Sequence, residues 1–263
     1  MKKEANSLID SHCHFDFPPF LDDPGHYLLE AQKVGVSMLI VPAIGRSNGE
    51  QIASLSETFA QIRYALGLHP YYIHSHCDND LSWLETALAE RDDKCVAVGE
   101  CGLDFAIENP KNEQQLYLLE QQLALAEAHN LPVILHCRKA HNELIRILNR
   151  FKGVNGVLHA FSGSYEQGKA LIDRGWFLGI GGTITYERAR KTREAVKKLP
   201  LDAMLLETDS PDMPLFGYQG QANLPSRLPL VAQMLAQLKQ QDVEKVKHQT
   251  TQNSRRLFRL DKK

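Results

Sequence analysis

Short β-branched or aliphatic runs alternate with longer amphipathic segments throughout the chain, the pattern of βα units built around a parallel sheet. Eight runs predict strands near Leu8–Cys13, Ser37–Ala43, Arg63–Leu68, Cys95–Glu100, Pro132–Cys137, Gly156–Ala160, Trp176–Gly181 and Ala203–Thr208. A helix is expected after each. The clearest follows Asn109-Pro110, where a cap residue and a first-turn proline precede Leu116, Leu119, Leu123 and Ala126 at helical spacing. Eight strand-then-helix repeats in 263 residues, close to the roughly 250 of one α/β barrel, favour a closed (β/α)8 TIM barrel over an open doubly wound sheet. With no Ser/Gly linker in the chain, residues 1–263 are expected to form one domain. The long irregular stretch Pro211–Pro225 follows the last strand, and loops of that length in compact domains tend to be functional.

The chemistry lies at the strand ends. His12, His14, Glu100, His136, His159 and Asp209 each fall where an apolar run stops. A parallel barrel gathers the carboxyl ends of its strands around one mouth, so residues scattered over about 200 positions could converge there. His12 and His14 flank Cys13, and because side chains alternate along a strand, the two imidazoles are expected on one face with the thiol on the other. The same parity turns Cys101 and Cys137 toward the surrounding helices. Five cysteines without a C-x-x-C pair argue against both a disulfide framework and a cysteine-rich zinc module.

Four His, one Glu and one Asp suit zinc, manganese or magnesium better than calcium. Six donors exceed what one tetrahedral zinc uses, so two divalent ions fit better, with Glu100 as the carboxylate able to bridge them. Such a pair lowers the pKa of a bound water, and Asp209 could bind one ion and take that water's proton. His69, at the end of the third strand, and Arg138, just after His136, could meet a charged substrate oxygen. Glu207 lies two residues before Asp209, hence deeper on the same face, and reads as a group that orients a ligand.

Other signals narrow the field. Walker A, G-x-G-x-x-G and H-E-x-x-H patterns are absent, which removes support for nucleotide hydrolysis, nicotinamide binding and zincin chemistry. A formal net charge of −2 provides no whole-chain field toward polyanions, so any such binding is local. The basic segment from Arg188 to Lys198 is interrupted by Glu194 and has the pattern of a solvated helix face. No apolar run reaches the roughly 18 residues of a membrane span, so a cytoplasmic location is the expectation, with no membrane contact and no obligate protein partner.

In order along the chain, His12-Cys13-His14-Phe15-Asp16, Gly67-Leu68-His69-Pro70, Gly99-Glu100-Cys101-Gly102-Leu103-Asp104, His136 with Arg138, His159-Ala160-Phe161-Ser162-Gly163 and Glu207-Thr208-Asp209-Ser210-Pro211 resemble the TatD family of metal-dependent deoxyribonucleases, within the amidohydrolase-like barrels. The resemblance implies one ion on His12, His14, Glu100 and Asp209 and a second on Glu100, His136 and His159. It also implies His69 beside the reacting phosphate and hydrolysis of DNA phosphodiesters, often from a 3′ end. Three residues depart from the family pattern: Asp212 where an aromatic is frequent, Lys139 where an acid is frequent, and Ala160 where a cysteine is frequent. The expected function is therefore a metal-dependent deoxyribonuclease acting on a single strand or 3′ end. A hydrolase of small amides, lactones or phosphoesters is the alternative, since one barrel supports many chemistries, and a non-catalytic nucleic-acid binder with a structural metal is a third. If DNA is bound, Phe216 and Tyr218 are candidates to stack its bases.

Overall fold

The computed structural model describes residues 7–261. The chain runs β1 (Leu8–Asp10), α1 (Pro24–Lys33), β2 (Val36–Pro42), α2 (Arg46–Thr58), β3 (Ile62–Leu66), α3 (Asn79–Ala89), β4 (Cys95–Asp104) and α4 (Asn112–Ala128). It continues through β5 (Val133–Arg138), α5 (His141–Leu148), β6 (Gly156–Leu158), α6 (Tyr165–Ile172), β7 (Phe177–Ile180), α7 (Arg190–Lys198), β8 (Met204–Leu206), α8 (Leu228–Lys239) and α9 (Val243–Phe258). The eight strands are parallel and each lies beside its neighbour in sequence, forming a (β/α)8 TIM barrel. Between β8 and β1 the seam is closed just beyond the strands. Ser11 N–H donates to Leu206 O (2.9 Å), Asp209 N–H to His12 O (2.9 Å), and His14 N–H to Ser210 O (2.7 Å).

One inward residue from each strand fills the barrel: Ile9, Ile40, Ala65, Ala97, Ile134, Val157, Phe177 and Leu205 pack as one cluster, with Leu257 and Phe258 of α9 against it. A larger apolar layer lies between strands and helices. A plugged barrel leaves one way to reach polar groups above the plug, from the mouth at the strands' carboxyl ends.

The strands begin near their predicted positions, but β1, β3, β6 and β8 stop two or three residues earlier, so His12, His14, His69, His159 and Asp209 sit in the segments that follow them. The α4 start also differs from the expectation. Asn109 and Pro110 lie before the helix, the N-cap is Lys111 in a left-handed conformation (φ 45°), and the first helical residue is Asn112. Two buried glutamines of α4 explain what holds that connection. Gln115 Oε1 accepts from Asp104 N–H (2.7 Å), and its Nε2 donates to Asp104 O (3.0 Å) and Pro110 O (2.6 Å). One turn pair further on, Gln122 accepts from Leu68 N–H (2.7 Å) and donates to Leu68 O (3.2 Å).

These amides stand in for strand partners where β3 and β4 run out at the mouth. A Gln122→Leu variant leaves buried Leu68 N–H and C=O unpaired, which costs about 1–3 kcal/mol per orphaned group. The urea unfolding midpoint should fall accordingly. An unchanged midpoint would show that the clamp contributes nothing.

Candidate metal centre

The barrel mouth opens into a cavity of about 580 Å³ whose walls include His14, His69, Glu100, His136, His159 and Asp209. His12, buried behind that wall against Glu100, completes the set, so all six residues expected as ligands, and His69, meet in one place. At its centre is Glu100, fully buried, and its two oxygens face different neighbours. Oε2 lies 3.1 Å from His12 Nε2 and 3.5 Å from His14 Nε2, while Asp209 Oδ1 is 3.4 Å and 3.7 Å from the same two nitrogens. Oε1 lies 2.8 Å from His159 Nε2, 3.1 Å from His136 Nδ1 and 2.9 Å from His69 Nε2. His12 Nε2 and His14 Nε2 are 3.3 Å apart, as are His136 Nδ1 and His159 Nε2.

These separations bear on whether a metal fits. Donors held at about 2.1 Å around a tetrahedral ion are about 3.4 Å from one another, and the donors here are spaced by 2.8–3.7 Å. The remaining ring nitrogens of His12, His14 and His159, all Nδ1, are buried without a hydrogen-bond partner. Many imidazoles around one carboxylate cannot satisfy each other by hydrogen bonding. A divalent cation accepts all of their lone pairs at once.

Without a cation, protons and one carboxylate share that role. Burial works against charge on Glu100, but the surrounding His159, His69 and His12 prevail and hold its carboxyl well below the usual range. Burial likewise opposes protonation of the histidines. Glu100 overcomes it at His14, pushed up to about 9, and at His159, pushed up to about 10. His12 and His69 go the other way, His69 to about 4, because burial dominates and a neighbouring imidazole adds to it. Asp209 is raised by burial against the pull of His159 and His14. Positive charge is therefore wanted in this pocket, and only part of the histidine set carries it.

His69 has a defined tautomer. Tyr71 N–H donates to its Nδ1 (2.9 Å), so the proton of the neutral ring is on Nε2 and points at Glu100. Arg138 lines the cavity, half exposed, and donates to Asp104 Oδ2 (3.1 Å). The same oxygen is 3.1 Å from His136 Nε2, which fixes that ring so that Nδ1 faces Glu100. Asp104 was not singled out from the sequence. Its signal was present, because Glu100, Gly102 and Asp104 alternate along β4 toward one face.

Asp10 was missed as well. It is buried, accepts from Thr208 N–H (2.9 Å) and Thr208 Oγ1 (2.6 Å), and so ties β1 to the segment bearing Asp209. Glu207 lies beneath the histidines. Its Oε1 accepts from Ala160 N–H (2.5 Å) and is 3.8 Å from His159 Nδ1, too far for a hydrogen bond. Gly179 makes room for it, since a Cβ there would lie 2.1 Å from Glu207 Oε2. Of the three thiols expected to face the helices, Cys13 and Cys101 are buried there, whereas Cys137 is half-buried and also lines the cavity.

A family model described as "TatD related DNase" matches residues 9–259. The chain belongs to the TatD family. An "Uncharacterized metal-dependent hydrolase YjjV" from Escherichia coli is 44% identical over 254 residues, covering 96% of this chain and 98% of the relative. The crystal structure of YjjV, described as a TatD homolog, superposes with a TM-score of 0.94 over 96% of this chain and 98% of that one. A "3'-5' ssDNA/RNA exonuclease TatD" from Edwardsiella piscicida is 35% identical over 263 residues, covering 96% of this chain and all of the relative. The chain is accordingly a metal-dependent hydrolase of the TatD family. Among its departures from the TatD pattern, Asp212 faces the cavity, and Ala160, at φ +46°, carries the N–H held by Glu207. Among the described residues, no helix is long and apolar enough to cross a membrane.

Proposed function

We propose that this protein hydrolyses phosphodiester bonds of nucleic-acid strands, DNA foremost and from the 3′ end, at a centre of two divalent ions. The observation that carries the two-ion reading is the division of Glu100, with Oε2 among His12, His14 and Asp209 and Oε1 among His136, His159 and His69. His12, His14, Glu100 and Asp209 would hold one ion, and Glu100, His136 and His159 the other, with zinc or manganese suited to such nitrogen and oxygen donors. When bound, the ions lower the pKa of a water and offset negative charge on the phosphate. The nuclease reading is supported by the name of the Edwardsiella piscicida relative.

The chain's own groups have separable tasks. Asp209 lines the cavity beside His12 and His14, is 13% exposed where Glu100 is fully buried, and is the carboxylate placed to take the attacking water's proton. His69 presents Nε2–H to Glu100 and, with a substrate in place, to a phosphate oxygen. Arg138, anchored through Asp104, turns the rest of its fork toward the cavity for a second oxygen. Elemental analysis paired with digestion of end-labelled oligonucleotides, before and after chelation, tests the assignment. Two equivalents of metal and chelator-sensitive cleavage are expected. Intact oligonucleotides alongside turnover of a lactone or amide would replace it.

Glu207 acts through the backbone in this reading. Its bond to Ala160 N–H steadies a left-handed residue directly after His159. Glutamine keeps an acceptor oxygen there and alanine does not. Glu207→Ala should weaken metal binding by about 10- to 100-fold in isothermal titration, while Glu207→Gln stays within a few-fold of wild type. Equal losses in both would point to the carboxylate charge instead.

A further inference from the structure

We propose that Phe216, Tyr186 and Arg188 form a platform on which a base and a phosphate of a single strand rest as the strand leaves the metal centre, an inference that relies on the nucleic-acid reading above. The loops after β7 and β8 are joined there. Pro211, Asp212 and Met213 line the cavity on one loop and Thr183 on the other. Just outside, Phe216 N–H donates to Thr185 Oγ1 (2.9 Å) and Tyr186 Oη–H donates to Pro214 O (2.6 Å). The Tyr186 ring and the backbone at Phe216 are therefore held in place, which lowers the entropy cost of ordering them for a ligand.

Phe216 is 64% exposed, more than the other exposed large apolar side chains among the described residues. Its contact with Tyr186 is edge-on, with centroids 5.9 Å apart and planes at 83°. That geometry leaves a ring face open, which a nucleobase can cover. Arg188 lies over Tyr186, 4.9 Å from the ring centroid. Among the described residues no carboxylate comes within ion-pair distance of Arg188, the adjacent exposed Glu187 included, so its charge remains available to a phosphate. A chain with a net charge of −2 needs such local devices to retain a polyanion.

Tyr218, equivalent to Phe216 by sequence alone, is used differently. Arg227 stacks over it at 4.2 Å while donating to Ala222 O (2.7 Å) and Gln221 Oε1 (3.2 Å), and the ring packs against the core. It closes the loop on itself.

Metal-loaded wild type and the Phe216→Ala, Arg188→Gln and Tyr218→Leu variants would be assayed on a thymidine decamer and on methyl 4-nitrophenyl phosphate, a diester too small to extend from the metals to the platform. Phe216→Ala should raise KM for the decamer about 10-fold, with kcat within about twofold. Arg188→Gln should raise it less and flatten its salt dependence by about one phosphate contact. Both variants should match wild type on the small diester, and Tyr218→Leu should match it on both. An unchanged decamer KM in Phe216→Ala, with wild type cleaving normally, overturns the platform alone. Equal losses on both substrates also overturn it. A wild type that hydrolyses the small diester but no oligonucleotide overturns the nucleic-acid reading and the platform with it.

Discussion

For the two-ion centre proposed above, replacing Glu100 with glutamine should reduce bound metal from two equivalents to one or fewer and slow hydrolysis by about 10³-fold or more. The two carboxylate oxygens of Glu100 face the two halves of the site, 3.1 Å from His12 on one oxygen and 2.8 Å from His159 on the other. Glutamine is nearly isosteric, but it offers one oxygen and one NH2. Whichever way it turns, one half loses an anionic acceptor and meets a donor that cannot bind a cation. The barrel core does not involve this side chain, so the folded protein should survive, as checked by circular dichroism. Two retained equivalents with turnover within tenfold of wild type would rule out Glu100 as a bridge.

Asp209→Asn should separate binding from chemistry. The amide oxygen can remain near His12 and His14, which the carboxylate now approaches at 3.4 and 3.7 Å, so most of the metal should stay. Asparagine cannot take a proton, and loss of a general base typically lowers the rate by about 10²–10⁴-fold. Single-turnover cleavage of an end-labelled oligonucleotide, alongside elemental analysis, measures both quantities. Full chelator-sensitive cleavage by the variant would remove Asp209 from the proton-transfer role.

Some of this site could be read from the chain because alternation holds on three strands. From Ile134, Val157 and Leu205, which fill the barrel, counting by two leads to His136, to His159, and through Glu207 to Asp209. Counting fails on the other two. From Ile9 it reaches Cys13, and from Ala97 it reaches Cys101, yet both thiols face the helices, His14 and Glu100 line the cavity, and buried His12 turns toward Glu100. On β1 the strand ends at Asp10, and the chain is then held by bonds to Leu206, Ser210 and Ile40 in place of a regular ladder. On β4 the pairing slips between Val98 and Cys101, where Gly99 adopts φ +152°. Cys13 and Cys101 do face the helices as expected, but it is strand-end position, and not strict parity, that places His12, His14 and Glu100 together.

Residue types and their place at strand ends determined the fold class and the membership of the site, since both depend on local pattern and on the rule that parallel strands share a mouth. The sequence could not divide the donors by geometry, because that depends on two oxygens of one side chain 0% exposed at the centre of the cluster. Nor could it separate Phe216 from Tyr218, or assign Arg138 to Asp104. Those outcomes turn on which neighbours reach a side chain across the fold, and contacts between residues such as Asp104 and Arg138, 34 positions apart, exist only once β4 and β5 have paired in register.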